Sequence, residues 1–159
     1  LCIDDYNTVL DIDKTNAVAY NNRALCFEDL EEYERALADY TLSLQYEPGD
    51  PVTLTNRASV LRILERYTDS IEDYKTAIGI DPTDPTLWND RGFTYEAMGE
   101  YARALSDYSQ AIALDPAYAT PYLNRGYLNS TLNETQAAIA DFERYLEVYP
   151  DTPRRVSPR

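Results

Sequence analysis

"LADYTLSLQYEPGDP", residues 37–51, decides the fold, because it returns as "IEDYKTAIGIDPTDP" at 71–85 and as "LSDYSQAIALDPAYA" at 105–119. Asp-Tyr, apolar residues and a Pro recur at fixed offsets. Pro48, Pro82, Pro116 and Pro150 stand 34 residues apart, a spacing that marks stacked repeats. The copies run 17–50, 51–84, 85–118 and 119–152. Ahead of them, "CIDDYNTVLDIDK" aligns with the second half of a copy, Tyr6 in the place of Tyr40 and Lys14 in the place of Pro48. Residues 1–16 are therefore read as the second helix of a truncated preceding repeat, and 153–159 as a basic tail expected to be flexible. The chain opens on Leu1, and the expectation is a fragment of something longer.

Each copy carries two helical patterns. Counting from the first residue of a copy, apolar or small residues fill positions 4, 8 and 11, as in Tyr20, Ala24 and Phe27, or Trp88, Gly92 and Tyr95. That is one face of a helix. The second half repeats the pattern, as in Ala104, Leu105, Tyr108, Ala111 and Ile112. Small residues at positions 8, 20 and 27 let two helices approach closely, and a larger side chain there costs about 1–3 kcal/mol. Asp50-Pro51 and Asp84-Pro85 join an N-cap acid to a Pro at the first helical position, and Asn16 caps the first copy. The Pro that closes each copy stops the second helix, since it lacks an N–H and restricts the residue before it.

Composition narrows the function. The chain has 159 residues, 44% hydrophobic and 26% charged, the balance of a folded globular domain. No apolar run approaches the ~20 residues of a membrane span. The expectation for location is a soluble, cytoplasmic stretch, with any targeting signal outside it. Fourteen basic against 28 acidic residues give a net charge of −14. Without Arg154, Arg155 and Arg159 of the tail the balance is 11 to 28, or −17. Such a body repels phosphate backbones and anionic membranes, so neither nucleic acid nor membrane is an expected partner. Cys2 and Cys26 lie in apolar helical patterns and are read as small buried side chains rather than a redox or metal pair.

These residues resemble the tetratricopeptide repeat (TPR) family. The resemblance rests on the Trp/Leu/Tyr slot (Tyr20, Leu54, Trp88, Tyr122), the Ala/Gly slot (Ala24, Ala58, Gly92, Gly126) and the second-helix Ala slot (Ala36, Ser70, Ala104, Ala138). Four residues beyond the last of these stand Tyr40, Tyr74, Tyr108 and Phe142. The family implies an all-α fold, a right-handed superhelical solenoid of antiparallel helix pairs, whose concave groove, lined by first helices, binds peptides or protein segments.

Arg23, Arg57, Arg91 and Arg125 recur at position 7, and Asp39, Asp73, Asp107 and Asp141 at position 23, always 16 residues apart. Identical copies in every repeat argue for structural ion pairs, within a hairpin or between hairpins, and against catalysis. By the family pattern, ligand-facing residues include Asn21, Thr55, Asn89 and Leu123 at position 5, and Asn22, Asn56, Asp90 and Asn124 at position 6. Leu25, Phe93 and Tyr127 at position 9 and Arg62 at position 12 complete the set. Asn side chains offer donors and an acceptor to an extended backbone, or hydrogen-bond between repeats. Phe93 and Tyr127 are the expected aromatic anchors.

A family mode that grips acidic tails needs several Lys or Arg at these concave positions, and only Arg62 is basic. A neutral or basic segment is the expected partner. The last copy departs from the pattern: Asn129 replaces Phe27, Leu61 and Tyr95, Thr135 replaces Tyr33, Tyr67 and Tyr101, and Tyr145 fills a small-residue slot. Self-association through the repeat ends is a further expectation. With no His, no Gly-rich phosphate loop and no nucleophile beside a base, the chain is not expected to be an enzyme or to hold a metal or cofactor. The function read from the sequence is a scaffold or adaptor that binds protein. The alternatives are a structural spacer or self-association arm, and a regulatory domain of an enzyme lying outside this stretch.

Overall fold

A computed structural model of the chain describes residues 2–149. The tail 153–159 and the closing Pro150 lie outside the described residues. Nine α-helices account for the described residues: α1 (Cys2–Ile12), α2 (Ala17–Asp29), α3 (Tyr33–Tyr46), α4 (Pro51–Ile63), α5 (Tyr67–Ile80), α6 (Pro85–Ala97), α7 (Tyr101–Leu114), α8 (Ala119–Thr131) and α9 (Thr135–Val148). The described residues fall into two compact units, 2–82 and 83–149. In the first, α2 pairs with α3 and α4 with α5, α4 packs on α3, and α1 packs on α2. In the second, α6 pairs with α7 and α8 with α9, while α8 packs on α7 and touches α6.

First helices start where a side chain can satisfy the exposed N–H groups of the first turn. Asn16 accepts from the Ala19 N–H at 2.9 Å, Asp50 from Thr53 at 2.8 Å and Asp84 from Thr86 at 2.8 Å. They end in one recurring turn. The N–H of Glu31 bonds to the Glu28 carbonyl and that of Glu32 to the Phe27 carbonyl, both at 2.8 Å. The same two bonds close α4, α6 and α8, and each turn puts one residue in the left-handed region: Glu31, Glu65, Gly99 and Asn133, with φ of 59°, 58°, 78° and 64°.

The core of the first unit gathers Ala24, Phe27, Ala36, Leu37, Tyr40, Val60 and Leu61. Packing in the second unit turns on glycine. A Cβ on Gly92 would meet the Tyr108 ring at 3.0 Å, and one on Gly126 the Phe142 ring at 2.7 Å. Besides the apolar positions read from the sequence, positions 3 and 10 of the first helices are buried: Ala19, Thr53, Leu87 and Pro121, and Cys26, Val60, Thr94 and Leu128.

The cysteine expectation is corrected. Cys2 and Cys26 form a disulfide with a Cα–Cα distance of 6.2 Å, joining α1 to α2. Cys26 stands at position 10, which faces the preceding helix, and the docking of α1 on α2 brings Cys2 within bonding reach.

Candidate functional site

The Arg and Asp ladders meet within hairpins. The guanidinium groups of Arg23, Arg57, Arg91 and Arg125 each donate from two nitrogens, Nε and Nη2, to Asp39, Asp73, Asp107 and Asp141 respectively, with shortest contacts of 2.7, 2.6, 2.7 and 2.6 Å. The carboxylates are buried and the guanidiniums partly so. Bidentate geometry is the strong form of this pairing. The Asp107 hydrogen bonds hold the Arg91 guanidinium above its ordinary pKa, and Asp39 does the same for Arg23. Two of the arginines also reach the preceding helix: Arg23 Nη1 donates to Asn7 at 2.7 Å and Arg125 Nη1 to Ser109 at 2.9 Å. Asn129, polar where its counterparts are apolar, is buried because its amide donates to Asp141 at 3.0 Å.

The amide column is a hydrogen-bonded ladder. Asn56 Nδ2 donates to Asn21 Oδ1 at 3.3 Å in the first unit, and Asn124 Nδ2 to Asn89 Oδ1 at 3.0 Å in the second. Asn21 Nδ2 in turn donates to Asn22 Oδ1 at 3.1 Å, and Asn89 Nδ2 to Asp90 Oδ1 at 2.9 Å. Thr53 Oγ1 adds a bond to Asn21 Oδ1 at 3.1 Å. Asn89, bonded on both sides, is only 3% exposed. Thr55 donates to the Pro51 carbonyl at 2.8 Å, and Leu123 has no group for the ladder. Asn22, Asn56, Asp90 and Asn124, which complete the ladder, are half-buried, as is Arg62.

Position 9 is the apolar element. Leu25, Phe93 and Tyr127 are 41%, 43% and 60% exposed, and the Tyr127 ring meets Phe142 edge-on at 5.3 Å. Position 12 carries a link absent from the sequence reading. Tyr108 donates to Glu96 at 2.6 Å and Tyr40 donates to Glu28, so the second-helix aromatic fastens the first-helix acid. Burial pushes the Glu28 carboxyl up, while the Tyr40 hydrogen bond opposes that shift. Burial, reinforced by the acidic partner, raises both phenols well above the ordinary tyrosine range.

Among the described residues, no group of three or more His, Cys, Asp or Glu could hold a metal ion. No helix among them is long and apolar enough to cross a membrane.

Helix hairpins in a 34-residue register, presenting an amide ladder beside exposed apolar side chains, define an all-α repeat protein of the solenoid class. Tetratricopeptide repeat family models match residues 17–50, 58–99 and 101–157, and the chain belongs to that family. Among solved structures, a MamA fragment from Desulfovibrio magneticus is similar with a TM-score of 0.87 at 15% identity, covering 94% of this chain and 85% of that one. A PilF structure from Pseudomonas aeruginosa gives 0.80 at 19%, covering 90% and 65%. The first TPR of Spaghetti (RPAP3), solved with the HSP90 peptide SRMEEVD, gives 0.69 at 21%, covering 76% and 96%. At these identities the likeness is one of fold. No curated protein sequence matches the chain. Proteins of this repeat family mediate protein–protein interaction and are typically not enzymes.

Proposed function

We propose that the chain is a scaffold or adaptor module whose first helices bind an extended segment of a partner protein. The repeats 17–50, 51–84, 85–118 and 119–152, preceded by the half-repeat 1–16, are its structural units in this reading. The observation that carries it is the position 5–6 amide ladder lying in the same helices as the exposed Leu25, Phe93 and Tyr127. In the described hydrogen bonds Asn56 and Asn124 use only their Nδ2 atoms, which leaves carbonyl oxygens to accept from a peptide backbone. Phe93 and Tyr127 supply the apolar contacts that dominate interface energy.

The partner is neutral or basic. Spaghetti (RPAP3) is seen with SRMEEVD, an acidic peptide. Here Glu28 and Glu96 occupy position 12, and Arg62 is the one cation among the candidate positions. An acidic tail would meet like charge, which costs affinity and association rate.

Fluorescence anisotropy against peptide libraries sorted by net charge tests this. Neutral and basic pools should bind, and the Asn56→Ala/Phe93→Ala/Asn124→Ala variant, folded by circular dichroism, should lose that binding. Preference for acidic pools, or binding unchanged in the variant, would refute the reading.

A further inference from the structure

Of the four arginines at position 7, Arg57 is unlike the rest. Arg23 lies over the rings of Tyr20 and Phe27, Arg91 over those of Trp88 and Tyr95, and Arg125 over that of Tyr122. In the second copy the matching positions hold Leu54 and Leu61. The Nη1 groups of Arg23 and Arg125 donate to Asn7 and Ser109 on the preceding helix. Thr41, in the same register, instead turns its hydroxyl onto the Leu37 carbonyl at 2.7 Å. Arg57 therefore has neither a ring beneath it nor an Nη1 bond among the described residues. Asp73 takes one N–H from Nε and one from Nη2, which leaves the Nη1–Nη2 edge as a fork of two parallel donors. Among the described residues every buried side-chain nitrogen and oxygen has a partner, so this edge is open to solvent and not sealed in the core.

Leu61 stands where Phe27 and Tyr95 stand in other copies, and the smaller side chain leaves room. A cleft of about 410 Å³ opens between α3, α4 and α5. Leu37 and Leu61 form its apolar walls, and Thr41, Arg57 and Arg66 line it beside them. Each carboxylate in the lining already has a cation: Asp73 has Arg57, Asp69 has Arg66 at 2.7 Å, and Glu72 has Lys75 at 2.6 Å. An anion entering the cleft thus meets no uncompensated negative charge. Two parallel N–H groups match the two oxygens of a planar carboxylate, and the leucines beside them suit a short apolar stem. The first-helix residues used, Arg57 and Leu61 at positions 7 and 11, belong to no part of the groove at positions 5, 6, 9 and 12.

We propose that this cleft is a second binding site, taking a small organic carboxylate with a short branched apolar stem, its oxygens on the Nη1–Nη2 edge of Arg57 and its stem against Leu37 and Leu61.

The probe is 4-methylpentanoate, titrated into the full chain while backbone and arginine side-chain NMR shifts are followed. Salt of about 0.15 M shortens the reach of the chain's net negative charge to about 8 Å. Saturable shifts should centre on Thr41, Arg57 and Leu61, with a Kd on the order of 1 mM for so small a ligand. The neutral isostere 4-methylpentanamide should bind about tenfold or more weakly, a comparison that needs no variant. Two substitutions copy what the other repeats do. Thr41→Asn should satisfy Nη1 as Asn7 does for Arg23, and Leu61→Phe should fill the space as Phe27 does in the first copy. Each variant, folded by circular dichroism, should weaken the carboxylate about tenfold or more. No saturable shift, shifts confined to 153–159, equal binding of the amide, or unchanged binding in either variant would overturn the proposal.

Discussion

Asp73 illustrates how one residue type serves every repeat. Its carboxylate is buried and compensated by two bonds from Arg57, so the pair is tolerated rather than strongly stabilising, but either half alone is costly. Arg57→Ala is expected to destabilise by about 3–5 kcal/mol because the carboxylate stays buried without its cation. Urea denaturation should show a lower midpoint with an unchanged slope, and Arg57→Ala/Asp73→Ala should recover part of the loss. Tyr108 makes a prediction about pH. Its phenol is raised in the folded state, so the native protein holds the proton that the unfolded chain releases near pH 10. Stability from this group is complete below the ordinary tyrosine pKa and falls as pH rises above it. In an absorbance titration at alkaline pH, Tyr108→Phe should remove one late-ionising phenol, the last class to titrate before unfolding.

The hairpin turns set the geometry at the scale of the element. All four first helices close with a residue in the left-handed region, and only one of the four is glycine, Gly99. Side chains there clash with the following carbonyl at a cost of roughly 1–2 kcal/mol. Glu65 is exposed, so Glu65→Gly should relieve that strain and raise stability by about 1 kcal/mol, whereas Gly99→Glu should lower it. Chemical denaturation of both variants checks the pair of signs. The turn was not legible in the sequence because glutamate normally continues a helix. Only Gly99 and Asn133 belong to the residues that favour this conformation, and the register alone assigns the same geometry to Glu31 and Glu65. The helices themselves were legible, since Asp-Pro starts, Pro stops and one-sided apolar spacing act within each element.

Among the described helices α1 is the least anchored: only Leu10 of it is buried, and its packing partner is α2. The Cys2–Cys26 bond spans 24 residues and fastens it. Reduction should lower stability by about 3 kcal/mol on the chain-entropy account. Hydrogen exchange should locate the loss in α1, leaving α6–α9 as protected as before. Equal protection of α1 in both redox states would contradict the assignment.

What the sequence by itself determined is the all-α architecture, its 34-residue period, most of its caps and the in-phase Arg and Asp residues, because each is written inside a single repeat and copied. What only the tertiary structure decided is which side chains meet between repeats. The Asn56 amide finds Asn21 and the Asn124 amide finds Asn89, each 35 residues back, and this commits Asn89 to the ladder. Positions 3 and 10 of α2, α4 and α8 are buried where the preceding helix packs on them, and Cys2 meets Cys26 because α1 docks on α2. Such contacts depend on the distance and rotation between separate helices, which short-range spacing along the chain does not encode.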